Sequence, residues 1–330
     1  MRAITVTDDH QLELSDLPEP VPAEGEVLVD VIAAGVNRAD LAQAAGHYPP
    51  PPGASELLGL EVSGHRRDTG EAVVALLAGG GYAEVVAVPE EQLLPAPSDL
   101  DLRDAAGLIE VAATVVSNLV VEADLQPGGG SSSPWPRLQG EPAPEPQTLL
   151  VHGGTGGIGS FALQFARALG LQVWTTVGSD KAVATARELG ADLAWNRRTA
   201  DVPAAVREAG GADVILDVVG GPTLMDNVSM LREHGRLVVI GTIGGPRGEL
   251  DLGALMARRS RVIGTTLRSR SSAEKHLILQ LTRELVWPML EDGSVRVPVQ
   301  AHVPMERAGE AHQVLQQGGH LGKVILDVRA

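Results

Sequence analysis

The run LLVHGGTGGIG, residues 149–159, has the residue types and spacing of a phosphate-binding turn. Its first residues are apolar and favour a strand, and residues 154–159 fit the pattern G-x-G-x-x-G. Apolar residues then recur at helical spacing through residues 160–169. Because a pyrophosphate can reach the N–H groups of a helix N-terminus only where side chains are absent, the glycines suit this task. We therefore predict a dinucleotide site built from strand, glycine turn and helix, with Gly153, Gly156, Gly157 and Ile158 at the ligand.

The end of the next predicted strand indicates which dinucleotide binds. NAD sites usually carry an acidic residue about 20 residues past the glycines, whereas this chain has Val177, Gly178 and Ser179. The small residues leave room for a 2′-phosphate, which Ser179 can bind and Lys181 can neutralise. We therefore predict NADPH. In the alternative interpretation, Ser179 or Asp180 caps the next helix, Lys181 is a solvated charge, and Asp180 can turn toward a ribose.

Strands and helices alternate regularly around these residues, and this order predicts a doubly wound parallel sheet. After the opening strand, we predict strands at 172–177, 192–195, 214–219, 237–240 and 262–267. We predict helices at 160–169, 181–189, 223–232 and 252–258.

The two ends of the chain have a different pattern. Short apolar or alternating runs separated by turns, the last at 82–88, predict a small barrel-like β domain. The tail predicts a helix at 272–290, a strand, a helix at 305–316 and a strand at 324–328, which we expect to complete that β domain. The expected domains are therefore 1–114 with 268–330, and 115–267. Residues 126–147 are low in complexity and predict a disordered surface loop without a catalytic role.

Composition excludes several classes of function. The chain has 330 residues, no cysteine and a net charge of −16. Disulfides, thiolate metal sites and cysteine nucleophiles are therefore impossible, and binding to nucleic acid or to an anionic membrane surface is disfavoured. The first residues lack the apolar core of a signal peptide, and no apolar run approaches the roughly 20 residues that span a bilayer. We expect a cytoplasmic protein.

Several blocks of residues carry a resemblance to a known family, in order and nearly end to end. They include GVNRADL at 35–41, GHY at 46–48, LGLEVSG at 58–64, GGGYAE at 79–84, DVVGG at 217–221, LRSR at 267–270 and GKVIL at 322–326. On these blocks the chain resembles the zinc-independent medium-chain dehydrogenase/reductases, specifically NADPH:quinone oxidoreductases of the zeta-crystallin-like, p53-inducible type. It departs from them in a longer connection at 126–147 and a shorter turn at 64–70.

The resemblance implies an α/β fold, with a Rossmann domain that binds NADPH and a GroES-like β-barrel catalytic domain. It also implies a homodimer joined through edge strands of the Rossmann sheets. In this chain the edge strand would be residues 261–267, whose Val262, Ile263 and Leu267 suit pairing.

Zinc-dependent members of the superfamily have a Cys and a His where this chain has Asn37 and Leu60. The nine histidines show no ligand-like spacing, so we predict no zinc. Without a Lewis acid, alcohol dehydrogenation is disfavoured. A quinone is electron-poor and accepts hydride without a metal, provided that the protein holds the nicotinamide against it and excludes water.

The resemblance also assigns candidate roles. Asn37 would bind near the nicotinamide or the acceptor oxygen, Tyr48 would line the acceptor pocket and donate a hydrogen bond, and Thr114 would approach the nicotinamide. Each has a simpler explanation: Asn37 as a turn residue, Tyr48 packed on prolines and Thr114 as helix packing. Further candidates for cofactor binding are Asn196, Gly241, Arg268 and Lys323, with Arg197 as a weaker one.

Two other functions stay open. The first is reduction of activated C=C bonds in enones or 2-enoyl thioesters, for which Tyr48 could be the proton donor. The second is a non-catalytic, NADPH-binding structural or RNA-binding protein. The charge of −16 and the lack of a basic, aromatic surface stretch argue against RNA. We therefore favour a small-molecule quinone as the substrate.

Overall fold

Two units make up the chain in the computed structural model, which describes residues 1–125 and 146–329. The first unit comprises Met1–Thr114 and Leu267–Ala330, and the second comprises Val115–Thr266. The loop predicted at 126–147 lies outside the described residues, apart from its last two residues.

Fifteen strands and ten α-helices are found in these described ranges. The strands are β1 (Arg2–Val6), β2 (Leu12–Asp16), β3 (Glu26–Val36), β4 (Glu61–Arg66), β5 (Ala72–Leu76), β6 (Val85–Pro89), β7 (Leu93–Pro95), β8 (Thr148–His152), β9 (Gln172–Val177), β10 (Leu193–Asn196), β11 (Ala212–Asp217), β12 (Leu231–Val239), β13 (Arg261–Gly264), β14 (Val299–Pro304) and β15 (Lys323–Asp327). The helices are α1 (Arg38–Ala44), α2 (Leu102–Ala105), α3 (Ile109–Val116), α4 (Gly157–Ala168), α5 (Asp180–Glu188), α6 (Val202–Glu208), α7 (Leu224–Met230), α8 (Leu252–Ala257), α9 (Ser272–Glu291) and α10 (Ala308–Gln317).

The second unit is built on a parallel six-stranded sheet in the order β10-β9-β8-β11-β12-β13. Numbered from β8, this is the order 3-2-1-4-5-6 of dinucleotide-binding folds. Buried apolar side chains along its strands, such as Leu150, Trp174, Ile215 and Leu237, form the core. The predicted Rossmann sheet is therefore confirmed, with its carboxyl edge at the glycine turn.

The first unit contains a seven-stranded sheet, with the path β14-β15-β3-β4-β5-β7 and β6 paired with β3. Apart from the parallel pair β14 and β15, its strands are antiparallel. Val324 and Leu326 of β15 face Val36 and Ala34 of β3, so the last strand of the chain lies beside an N-terminal one. The predicted strand–helix–strand tail is therefore confirmed, and it joins the N-terminal sheet.

One predicted strand is too long. The edge strand predicted at 261–267 ends at Gly264, because the chain leaves the sheet there. Leu267 instead packs against a buried cluster of the first unit that contains Ile109 and Leu279. Partial burial of a leucine against an apolar cluster stabilises the fold by about 25 cal/mol per Å² of apolar surface removed from water, which an exposed sheet edge does not offer. Leu267 is therefore not a strand-pairing residue.

Residues 1–125 and 146–329 contain no helix that could cross a membrane. No helix there is both long enough and apolar enough to span a bilayer.

Candidate active site

The glycine turn joins β8 to α4 with almost no space between strand and helix. Gly153 has φ +79°, a conformation that favours glycine. A Cβ on Gly154 would lie 2.2 Å from Thr175 Oγ1, and one on Gly159 would lie 2.2 Å from the Gly153 carbonyl oxygen. A Cβ on Gly156 would meet only the Gly153 carbonyl oxygen, at 3.6 Å. Two glycines are therefore required by packing, whereas Gly156 borders open space.

The first turn of α4 can bind an anion in that space. Gly156 is the N-cap of the helix, and no side chain caps it. The N–H groups of the following residues, Gly157 and Ile158, belong to the first turn, where helical N–H groups have no partner within the helix. The turn thus offers N–H donors and the positive end of the helix dipole, which fits a pyrophosphate.

The residues after β9 form a polar corner at the same carboxyl edge. Ser179 is the N-cap of α5, and its hydroxyl accepts a hydrogen bond from the Ala182 N–H at 3.2 Å. The guanidinium of Arg197 lies over Gly178, because a Cβ there would be 3.2 Å from Nη2. Lys181 and Arg197 are both exposed. Two cations and a hydroxyl therefore surround the position where a 2′-phosphate is expected.

Asn196 and Asp180 bind each other at this corner. Asn196 donates from Nδ2 to Asp180 Oδ1 at 2.8 Å, and its Oδ1 accepts from the Arg198 N–H at 3.1 Å. Both ends of the Asn196 amide are thus occupied within the protein. Asp180 is held by this bond, which opposes the alternative in which it turns toward a ribose.

Gly241 lies two residues past the end of β12, on the same edge as the glycine turn. A Cβ there would be 3.1 Å from the Val218 carbonyl oxygen, so the residue is small because two loops approach closely.

A buried histidine at the end of β8, His152, supports this edge of the sheet through hydrogen bonds. It is not among the residues predicted from the sequence. His152 Nε2 lies 2.7 Å from Asn227 Oδ1, and Nδ1 lies 2.8 Å from Thr176 Oγ1. Asn227 Nδ2 in turn donates to Asp217 Oδ2 at 3.1 Å. Burial lowers the pKa of His152. A neutral imidazole, donating from Nε2 and accepting at Nδ1, satisfies the whole chain of bonds.

Asn37 belongs to a buried charged cluster in the first unit. Lys323 Nζ donates to Asn37 Oδ1 at 2.6 Å and to Glu61 Oε1 at 2.6 Å, and Asn37 Nδ2 donates to the same Glu61 oxygen at 3.0 Å. The side chains of Lys323 and Glu61 are 3% and 0% exposed. This ion pair is therefore fully removed from water, and the Asn37 amide binds both of its members.

Lys323 was predicted to bind the cofactor, and its hydrogen bonds are formed with other residues of the first unit. Its third hydrogen bond goes to the Val36 carbonyl oxygen at 3.1 Å. An ammonium has three donors, and all three are engaged within the first unit. In this arrangement Lys323 holds Glu61 and Asn37 in place and has no donor left for a phosphate.

Thr114 joins the same cluster through a second carboxyl group. Thr114 Oγ1 donates to Glu110 Oε1 at 3.0 Å, and the Glu110 N–H donates to Glu61 Oε2 at 2.9 Å. Burial raises the pKa of Glu110 to about 7, although the attraction of Lys323 partly opposes this. The structure thus brings two predicted catalytic residues, Asn37 and Thr114, into one network. Glu110 was missed, although a lone acidic residue in an apolar helix is a visible signal.

Tyr48 is held by Arg268, which was predicted to bind the cofactor. The Arg268 guanidinium lies 5.1 Å from the centre of the Tyr48 ring. Its Nη1 donates to the Tyr48 carbonyl oxygen at 3.4 Å, Nε to the Ala78 carbonyl oxygen at 2.8 Å and Nη2 to Gln43 Oε1 at 2.6 Å. Arg268 therefore positions the Tyr48 loop within the first unit.

The described residues contain no cluster of side chains that could bind a metal ion. No three histidine or carboxylate side chains there are arranged to hold a metal ion. Leu60 is an apolar side chain with 5% exposure.

Family models match both units. The model described as alcohol dehydrogenase GroES-like domain matches residues 23–98, within the first unit. The model described as zinc-binding dehydrogenase matches residues 157–283.

Similar proteins extend the match to almost the whole chain. A quinone oxidoreductase of Mus musculus is 28% identical over 348 residues, covering 99% of this chain and 97% of its own length. Prostaglandin reductase-3 of Mus musculus is 30% identical over 275 residues, covering 80% of this chain and 67% of its own length.

A solved structure gives the same result. The quinone oxidoreductase from Thermus thermophilus, determined also in complex with NADPH, is 30% identical. It aligns with a TM-score of 0.81 over 99% of this chain and 100% of its own. With both family models in place and Asn37 and Leu60 at the zinc-ligand positions, this chain is an oxidoreductase of the zinc-independent quinone oxidoreductase family, within the medium-chain dehydrogenase/reductases.

Proposed function

We propose that the protein is an NADPH-dependent quinone reductase that transfers hydride directly to a quinone without a metal. The observation that carries the proposal is the buried cluster of Asn37, Glu61 and Lys323. Asn37 stands at one zinc-ligand position as a neutral amide engaged by this ion pair, and Leu60 stands at the other as an apolar side chain, so these residues do not fit a zinc ion that would activate an alcohol. A quinone needs none, because its conjugated dione is already electron-poor and becomes aromatic on reduction.

The cofactor is NADPH, which supplies the hydride when bound. The open first turn of α4 fits its pyrophosphate, and the corner of Ser179, Lys181 and Arg197 fits its 2′-phosphate. Tyr48, Asn37 and Thr114 are proposed to contact the acceptor and the nicotinamide. Their side chains are fixed by Arg268, Glu61 and Glu110, so the protein's task is to orient the acceptor.

The proposal is tested by following NADPH oxidation with 9,10-phenanthrenequinone, beside NADH and a crotonyl thioester. Rapid quinone-dependent turnover with NADPH, and slow turnover with NADH, is the expected result. No quinone turnover by protein that binds NADPH would overturn the proposal.

A second candidate is reduction of activated C=C bonds. The similarity to prostaglandin reductase-3 favours it, because that relative is 30% identical over 275 residues. The same assay separates the two functions: thioester or enone turnover with little quinone activity would establish the second.

A non-catalytic RNA-binding or structural protein is the third candidate. A net charge of −16 opposes the phosphate contacts on which RNA affinity depends. Tight, salt-sensitive RNA binding that NADPH displaces, measured by gel shift, would establish it.

Selectivity for NADPH over NADH provides a prediction about Lys181 on α5 and about Arg197, which follows β10. Replacing Lys181 or Arg197 with Ala should raise KM for NADPH about tenfold, since each loses a charge-assisted phosphate contact worth about 1.5 kcal/mol. KM for NADH should stay unchanged. Arg198→Ala is the control, because Arg198 is equally exposed and follows Arg197 directly. Equal effects on both nucleotides would mean that neither cation recognises the 2′-phosphate.

We also propose a homodimer through β13, the edge strand of the parallel sheet. Val262 on this strand is 39% exposed, and three nearby apolar residues are also exposed: Ile243 at 60%, Leu252 at 62% and Met256 at 75%. Such an edge favours association with a second copy.

The dimer is tested by Val262→Glu, which places a charge at the proposed contact. Light scattering after size-exclusion chromatography should give a mass near 34.4 kDa for this variant and twice that for the wild type. Val21→Glu, at an 89% exposed position, is the control and should remain a dimer. A monomeric wild type, or a dimeric Val262→Glu, would contradict the interface.

A further inference from the structure

A cavity of about 20 Å³ lies in the first unit beside the Glu110 carboxyl. This volume admits one water molecule or a single oxygen atom of a larger ligand. Its lining combines apolar and charged side chains: Leu60, Leu76, Leu77, Glu110, Leu267, Arg268 and Lys275. Because the charged groups enter a mostly leucine-lined space, their electrostatic effect on a bound atom is stronger than at an open surface.

Lys275 is the lining residue whose charge lacks a partner. Its side chain is 5% exposed, and its ammonium has no hydrogen-bond or ion-pair partner among the described residues. Burial, together with the neighbouring Arg268, lowers its pKa. Arg268 uses three of its five N–H donors on Tyr48, Ala78 and Gln43, and its positive charge also acts on the cavity. A buried, unpaired ammonium is unfavourable unless a negatively charged group reaches it.

Glu110 is the lining residue that holds a proton. The buried carboxyl groups of Asp40 and Glu61 and the half-buried one of Glu110 lie near the Lys323 ammonium and act on one another. Arg268 and Lys275 are the other cations that line the cavity. At Glu110, desolvation and the repulsion of Glu61 and Asp40 outweigh the attraction of Lys323, so Glu110 retains its proton near neutral pH.

Hydrogen bonds decide which carboxyl retains the proton. Glu61 accepts from Lys323, from the Asn37 amide and from the Glu110 N–H. Asp40 accepts from two backbone N–H groups, of Asn37 and Gly59, and from the Tyr82 hydroxyl. The donor found for Glu110 is the Thr114 hydroxyl. Since donors stabilise a carboxylate, Glu110 is the least stabilised when ionised.

We propose that this cavity receives the acceptor oxygen that becomes negatively charged when hydride arrives, with Lys275 stabilising that charge and Glu110 donating the proton. The inference rests on the proposed reductase function. Hydride transfer oxidises NADPH to NADP⁺ and leaves the reduced quinone with one oxyanion. The O–H bond of Glu110 breaks as the new O–H bond forms, and the Glu110 carboxylate regains a proton from solvent. The product is the hydroquinone.

Lys275→Met tests the stabilisation of the oxyanion. Loss of one such group typically lowers kcat by about 10²- to 10³-fold, so we expect a fall of about 10²-fold with 9,10-phenanthrenequinone. The same variant should melt at an equal or higher temperature, because Met fills the space without a buried charge. Lower activity with unchanged or greater stability is an outcome that a structural lysine would not give. Unchanged kcat would overturn the role of Lys275.

Glu110→Gln tests the proton donor, because Gln keeps the size of the side chain and the acceptor for Thr114. In the wild type, kcat should fall as pH rises through about 7, the pKa of Glu110. In Glu110→Gln, kcat should no longer fall over this pH range. At pH 6 it should be about 10²-fold lower than the kcat of the wild type. Glu291→Gln, on the exposed end of α9, is the control and should match the wild type.

Thermal unfolding of the cofactor-free protein gives a readout independent of turnover. The folded pKa of Glu110, about 7, lies above the value of 4.5 that applies to an unfolded chain. Its contribution is therefore present in full below pH 4.5 and is lost as pH rises through 7. The difference in melting temperature between wild type and Glu110→Gln should change over this interval, and a constant difference would show that Glu110 does not titrate there.

Thr114→Val provides a second variant. The Thr114 hydroxyl donates a hydrogen bond that lowers the pKa of Glu110, so its removal should raise that pKa. The fall of kcat with rising pH should therefore occur at a higher pH in Thr114→Val and should not disappear. If the kcat of Glu110→Gln still falls as pH rises through about 7, the inference is overturned, whereas quinone reduction itself stands. Absence of quinone turnover in the wild type itself would instead be the failure of the proposed function.

Discussion

Replacing Lys323 with Met is expected to lower the free energy of unfolding of the first unit by about 3–5 kcal/mol, the usual loss when one partner of a buried ion pair is removed. Glu61 is 0% exposed and would keep its carboxyl without a countercharge. Asn37 would lose its bond to the ammonium at the same time. Because β15 carries Lys323 and β4 carries Glu61, the loss should be felt where these strands join the sheet through β3.

Hydrogen exchange read by mass spectrometry measures this prediction locally. Exchange should accelerate in β3, β4 and β15 of the variant and stay unchanged in β8–β12 of the second unit. Local measurement is preferable to a single melting curve, because a chain of two units need not unfold in one step.

The double variant Lys323→Met, Glu61→Gln is the matched control. It removes both charges, and replacing a buried pair by neutral groups is often close to neutral in stability. Most of the loss should therefore be recovered. A double variant as unstable as Lys323→Met would mean that the lysine acts through its packing, and not by balancing Glu61.

The parallel sheet was predictable from the sequence because its signals are local. Each strand is a short apolar run followed by a helix, and β9 was predicted with the bounds that the structure gives, Gln172–Val177. The errors lie where the sequence has no local signal. β12 begins at Leu231, six residues before its predicted start, in a segment rich in charged residues. β13 ends early because Leu267 finds an apolar cluster that is distant in sequence.

The buried cluster could not be derived in the same way. Glu61, Glu110 and Lys323 are separated by up to 262 residues. They meet because β15 and β4 both pair with β3 and because the start of α3 bonds to Glu61. A lysine in a sequence is most often a solvated charge, so the prediction for Lys323 relied on family resemblance alone. The Rossmann side is different, because Gly153, Ser179 and Lys181 follow strand ends directly, and strand ends of a parallel sheet share one edge.

Two separate arrangements of charge thus serve one proposed reaction. The second unit offers N–H groups and exposed cations, which suit an anionic cofactor that must bind and leave. The first unit buries two lysines: Lys323 is neutralised by Glu61, and Lys275 is left for a charge that exists only after hydride transfer. Binding energy that appears only with the developing charge accelerates the reaction instead of tightening substrate binding.

Gly159→Ala should damage the second unit at the contact between β8 and α4. The new Cβ would lie 2.2 Å from the Gly153 carbonyl oxygen and 2.8 Å from Gly154 Cα, both of them backbone atoms that cannot rotate away. The helix must move off the strand, at about 2–3 kcal/mol for overpacking of this kind. For a unit of this size that corresponds to a fall of about 5–10 °C in melting temperature.

NADPH binding should suffer in the same variant, because displacement of α4 moves the N–H groups that face the pyrophosphate. We expect the Kd for NADPH, measured by fluorescence titration, to rise more than about tenfold, which is a loss of 1.4 kcal/mol. Gly156→Ser is the matched control. Its Cβ would meet only the Gly153 carbonyl oxygen at 3.6 Å, so the fold and the melting temperature should be preserved. If Gly159→Ala binds NADPH as tightly as the wild type, the close contact of helix and strand is not what positions the cofactor.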